Sequence, residues 1–110
     1  MERRTSLRAK LGQSLWLNKY VEGCPHLAEL VEVSDGGIVI RTIHEPSNRE
    51  TTFTLELSIP GSTHRMWLWG ERIRTMGKLQ AVRIVHADLL ERAALRQLAR
   101  WHSAPSFLGA

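Results

Sequence analysis

Cysteine is almost missing: Cys24 is the only one in 110 residues, so no disulfide can form within the chain. Pro25 and His26 follow it, with no second Cys–His pair at zinc spacing, which leaves a structural or incidental thiol. The five histidines stand apart at positions 26, 44, 64, 86 and 102 and form no metal-ligand spacing. A nucleophile elbow, a phosphate-binding glycine loop and a dinucleotide glycine fingerprint are all lacking, so an enzyme has little support. No apolar run approaches the roughly 20 residues that a membrane-crossing helix needs. The chain starts on Glu2-Arg3-Arg4 instead of an apolar signal core, so a cytoplasmic protein without membrane insertion is expected.

What is present is ordinary for a folded domain. Hydrophobic residues make up 43% and charged residues 24%, enough for one core and too short a chain for two. The net charge of +4 and a pI near 10.0 favour an anionic partner. Composition alone does not separate a nucleotide from nucleic acid or a membrane surface.

The stretch 30–42, LVEVSDGGIVIRT, organises the chain. Asp35-Gly36 between two apolar runs is a hairpin signal, because a two-residue turn that follows sheet twist needs positive φ at its centre. Side chains alternate across a strand, so Val31 and Val33 facing the core would turn Glu32 and Ser34 outward together. A carboxylate and a hydroxyl then stand beside Gly37, where a ligand can approach the backbone. On the third strand Arg41 shares a face with Gly37 and Val39, which makes it a candidate neighbour of Glu32 and Ser34.

Other strands are read at 13–20, 27–33, 52–59, 63–75 and 79–86, with 37–42 as the third of six. Phe53, Leu55, Leu57 and Ile59 alternate with Thr52, Thr54, Glu56 and Ser58, the pattern of a barrel wall. Residues 22–25 form a turn, 44–50 a polar loop and 76–78 a second turn. Gly70 interrupts the fifth strand and marks a bulge. Either Met66 and Leu68 or Trp67 and Trp69 face inward. Asp88 with Glu91 resembles a capping box, opening a helix over 88–102. Leu90, Ala94, Leu98 and Trp101 would pack it on the barrel. Arg92, Arg96 and Arg100 line another face, read as solvated.

Ahead of the strands, MERRTSLRAK carries Arg4 and Arg8 at RxxxR spacing. An arginine fork matches phosphate oxygens and the O6/N7 edge of guanine bidentately. RxxxR followed by ExSxxG, built from Glu32, Ser34 and Gly37, resembles the bacterial PilZ domain, whose pattern is RxxxR and D/NxSxxG. The resemblance covers nearly the whole chain. It implies a mainly β fold, a small six-stranded antiparallel barrel with a C-terminal α-helix. Residues 1–10 would be a flexible basic arm, 11–102 the barrel with its helix, and 103–110 a tail.

The resemblance further implies binding of cyclic di-GMP, with no other cofactor and no metal. Arg4 and Arg8 would grip guanine and phosphate, Ser34 would make a polar contact and Gly37 would allow close approach. Arg3 would add charge beside the motif. Ligand binding would order the arm and signal to a downstream effector protein. Glu32 departs from the family's Asp or Asn: it keeps the acceptor pair on a longer stem. Loss of such a bidentate contact, worth roughly 1–3 kcal/mol, would weaken binding about tenfold to a hundredfold. Two other readings stand beside the receptor. One is a degenerate interaction module that binds no nucleotide, and the other a small basic barrel that binds nucleic acid through Trp67, Trp69 and the helix arginines. Low aromatic content and dispersed arginines argue against the last.

Overall fold

The computed structural model describes residues 9–34, 36–58 and 63–102, with side chains between 15 and 99. Six antiparallel strands form a closed barrel in the order β1-β2-β3-β6-β5-β4. They are β1 Ala9–Val21, β2 Cys24–Val33, β3 Gly37–Thr42, β4 Thr52–Ser58, β5 Arg65–Met76 and β6 Leu79–His86, followed by α1 Leu89–His102. The expected mainly β barrel with a closing helix is the fold found. Two three-stranded meanders, β1-β2-β3 and β4-β5-β6, meet along two seams, β3 against β6 and β1 against β4.

Alternation builds the core. Phe53, Leu55 and Leu57 on β4, Met66 and Leu68 on β5, and Val82 and Ile84 on β6 are all buried. This settles the β5 ambiguity: Met66 and Leu68 face inward, and Trp67 and Trp69 face outward. The register shifts between Trp69 and Gly70 as a bulge would require. A Cβ at Gly70 would sit 2.6 Å from Val82 Cγ1, so the interior itself demands glycine there. Ile59 lies outside the described residues.

Two strands extend further than read from sequence. β1 begins at Ala9 rather than 13, and β2 begins at Cys24 rather than 27. The turn between them needs only Glu22 and Gly23, with φ of 52° and 82°. Those values suit the tight hairpin whose twist matches the strands, and they free Cys24 and Pro25 to pair with Val21 and Tyr20. Gly77, with φ of 62°, opens the corresponding turn between β5 and β6.

At the helix start, Glu91 N–H donates to Asp88 Oδ1 at 2.8 Å and Asp88 N–H donates to Glu91 Oε1 at 2.9 Å, a reciprocal capping box. The helix lies against β1 and β2 through Leu95, Leu98 and Ala99. Leu90, expected on that stripe, is instead 81% exposed. Nine residues at about 100° each put it half a turn away from Ala99. The side chain of Trp101 lies outside those described.

The interior contains one charge that alternation alone did not reveal. Lys19, 1% exposed, points inward from β1. Its Nζ lies 2.9 Å from both carboxylate oxygens of Glu45, donates to Gln80 Oε1 at 2.8 Å, and sits 4.2 Å from the Phe53 ring centroid. Glu45 also accepts from Asn48 Nδ2 and Gln80 Nε2. The polar loop after β3 is thereby pinned onto the barrel. Burial pulls the Lys19 pKa below the ordinary lysine value even with Glu45 beside it. Burial pushes the Glu45 carboxyl up, but the hydrogen bond and charge of Lys19, joined by the hydrogen bonds from Gln80 and Asn48, together outweigh it and hold the pKa below its usual value.

Removing one partner of this pair strands the other in a desolvated site. Lys19→Met is therefore expected to cost about 3 kcal/mol in urea unfolding, with the double variant Lys19→Met/Glu45→Met recovering most of it. A loss in the double variant equal to the sum of both single losses would remove the coupling. Because the folded Glu45 pKa is depressed, its stabilisation is complete above the ordinary value of 4.5 and disappears as pH falls through the depressed one. Unfolding followed from pH 6 to 3 should show a shallower acid limb in Glu45→Gln.

Candidate functional site

The cleft that gathers the polar motif residues begins with a strand irregularity. Leu30 pairs with Ile40 and Glu32 pairs with Val39, so Val31 is an extra residue in β2. This bulge corrects the simple alternation: Ala28, Leu30 and Val33 are buried, while Val31 and Glu32 are both half-buried. It bends the strand and re-aims Glu32 at the hairpin end.

Ser34 holds that end together. Its backbone N–H donates to the Gly37 carbonyl at 2.9 Å. Its hydroxyl donates to the same carbonyl at 3.1 Å and accepts from the N–H groups of Gly36 at 3.4 Å and Gly37 at 3.2 Å. One donor and two acceptor positions are what a hydroxyl offers, so Ser34 is fully committed to the loop. Asp35 lies outside the described residues. Gly37 has a different reason: a Cβ there would sit 2.9 Å from the Val82 carbonyl oxygen. The absent side chain lets β6 approach β3 closely.

The resulting cleft, of about 280 Å³, is lined on one side by Glu32, Ser34 and Gly37 and on the other by Ile73 and Arg83. Arg83, 59% exposed, pairs with Glu71 across β5 and β6. Neither Arg83 nor Ile73 was among the candidates read from sequence. Arg83 has an outward position between buried Val82 and Ile84, but only the pairing of β3 with β6 brings it to Gly37, its register partner. Arg41 behaves differently. It stands at the far end of β3, donates to Glu29 Oε1 at 2.6 Å and does not line the cleft.

Arg3, Arg4 and Arg8 lie outside the described residues. Their point of attachment is described: Ala9, the first residue of β1, is paired with Val33, the residue before Ser34. The segment carrying RxxxR thus joins the barrel beside the cleft. Among the described residues, no three His, Cys, Asp or Glu side chains come together as a metal site, and no helix is long and apolar enough to cross a membrane.

A closed six-stranded antiparallel barrel with a C-terminal helix is the fold of PilZ domains. The chain is similar to the PilZ domain of YcgR from Escherichia coli in a structure with c-di-GMP, at 13% identity and a TM-score of 0.71 over 90% of each chain. It is also similar to the inhibitor of motility MotI/DgrA from Bacillus subtilis, at 16% identity and a TM-score of 0.68. That match covers 91% of this chain and 51% of the other, so the chain spans about half of MotI. The PilZ domain of CeSA from a cellulose-synthesizing bacterium matches at 11% identity and a TM-score of 0.61, over 84% of this chain and 94% of that one. No family model matches the sequence, and no curated protein matches it either.

Ser34→Ala removes three local hydrogen bonds and is expected to lower stability by about 1–2 kcal/mol. Gly37→Ala sets a methyl against a backbone carbonyl and should cost about 1–3 kcal/mol. Thermal unfolding of both variants checks this, and wild-type melting temperatures would mean that the hairpin does not depend on either residue.

Proposed function

We propose that the chain is a cyclic di-GMP receptor of the PilZ type that acts through a protein partner. The observation that carries this reading is the pairing of Ala9 with Val33, which joins the RxxxR segment to the barrel beside Glu32, Ser34 and Gly37. Arg4 and Arg8 grip guanine and phosphate from the arm, with Arg3 adding charge. Glu32 accepts from a guanine Watson–Crick edge, and Gly37 keeps the cleft floor free of side chain. Ser34 shapes the hairpin that presents them. Ordering the arm over the cleft changes the surface offered to the partner, which is how binding becomes a signal. The ligand held by the YcgR PilZ domain supports the assignment. A cytoplasmic setting suits such a ligand, and binding rather than catalysis is the activity.

Arg83 enters this reading as a fourth arginine. It faces the same cleft, and its fork can exchange Glu71 for a ligand phosphate or guanine edge. Arg41, committed to Glu29 away from the cleft, takes no part.

Glu32 in place of Asp or Asn favours one second reading, a PilZ-type interaction module that has lost the nucleotide. Calorimetric titration with cyclic di-GMP, with GTP as control, separates the two. Saturable binding of cyclic di-GMP alone is expected. Arg8→Ala should lose at least about tenfold and Arg83→Ala about three- to tenfold, with Arg41→Ala unchanged. Binding that appears only in Glu32→Asp would establish the degenerate module instead.

A further inference from the structure

On the wall of the barrel away from the cleft, β1 and β5 turn aromatic side chains outward on either side of β4. Trp16 is 46% exposed, Trp67 47% and Trp69 43%, and Leu27 on β2 is 52% exposed. Tyr20 stacks obliquely on Trp67, with ring centroids 5.6 Å apart. Register joins these positions into one surface: Leu27 is opposite Asn18, Asn18 opposite Glu56, Glu56 opposite Trp67, and Thr54 opposite Trp69.

This wall has a built foundation. Glu56 points outward yet is only 5% exposed. Its carboxylate accepts from Asn18 Nδ2 at 3.1 Å, Tyr20 Oη at 3.2 Å and Arg65 Nη1 at 2.5 Å. Fixing a covered carboxylate with three donors under an outer face holds the Tyr20 and Trp67 rings in place. A merely solvated barrel wall has no need of that arrangement.

The charges around the tryptophans select the kind of partner. Two cavities flank Trp67 and Trp69, of about 330 and 380 Å³. Glu22 and Glu50 line the first, and Asp88, Glu91 and His86 line the second. Among the described residues neither is lined by lysine or arginine, in a chain with 15 basic and 11 acidic residues. Carboxylates beside indole faces repel phosphate and attract guanidinium or ammonium groups, which also stack on the rings. This sign argues against the nucleic-acid role weighed for Trp67 and Trp69.

We infer that the outer face of β1, β4 and β5 is a docking surface for a protein segment in which arginine or lysine is interspersed with apolar side chains. The cationic groups occupy the two acidic cavities, and the apolar side chains cover Trp16, Trp67 and Leu27. The surface lies across the barrel from the nucleotide cleft, so it stands whether or not cyclic di-GMP binds.

The test uses the full chain without nucleotide. An octapeptide alternating leucine and arginine, and its leucine–glutamate counterpart, are titrated while tryptophan fluorescence and heat are followed. Saturable binding of the arginine peptide alone is expected, weakening with salt. Trp67→Ala should reduce its affinity about tenfold. Glu50→Gln/Asp88→Asn should reduce it several-fold, and this double variant leaves the core untouched and keeps a helix-capping residue at position 88. Absence of saturable binding, equal binding of the glutamate peptide, or unchanged affinity in the double variant would overturn the proposal. So would concentration-dependent dimerisation abolished by Trp67→Ala, which would assign the face to a second copy of the chain.

Discussion

The close approach of β3 and β6 at Gly37 is the constraint from which the rest of the molecule follows. Each meander alone would leave a strand edge with unpaired backbone groups, and only the two seams remove those edges. At the β3–β6 seam the Val82 carbonyl occupies the space that a Cβ at position 37 would need. The glycine of the ExSxxG pattern therefore serves closure of the barrel as well as access to the cleft. One small residue ties the fold to the site.

The second seam carries different chemistry. Where β1 meets β4, Lys19 faces inward and is neutralised by Glu45, while Asn18 faces outward and holds Glu56. A buried cation on β1 and a buried anion on β4 thus lie on opposite sides of the same strand pair, and Asn18, the register partner of Glu56, is the neighbour of Lys19 on β1. Each is satisfied by partners from distant parts of the chain, which makes this seam costly to misalign. A one-residue slip would place Lys19 outside and Asn18 within, taking the Lys19 ammonium away from Glu45 and the Asn18 amide away from Glu56. The polar groups therefore specify register at a place where apolar alternation alone would tolerate error.

The two surfaces follow from this division. The cleft grows from the β2 bulge, the Ser34 hairpin and the β3–β6 seam. The aromatic wall grows from the β1–β4 seam and the outward tryptophans of β5. The proposed ligand cleft and the proposed docking wall lie on opposite sides of the barrel, so occupation of one does not obstruct the other.

Local chemistry was legible in the sequence. The strand from Gly37 to Thr42, the inward alternation of Phe53, Leu55 and Leu57, and the Asp88–Glu91 cap depend on neighbours within a few residues, and each was read correctly. Glu32, Ser34 and Gly37, within six positions of one hairpin, come together along one cleft. The tertiary structure decided what separation along the chain conceals. Arg83 faces the cleft because β6 pairs with β3, and Arg41 is withdrawn because Glu29 is its register partner. Lys19 is buried because a loop from the other side of β3 brings a carboxylate to it. Leu90 is exposed because the barrel, rather than the helix's own periodicity, chooses which stripe is covered. Propensity, capping and alternation act over one turn or one strand, whereas strand pairing and charge burial depend on closure of the whole barrel.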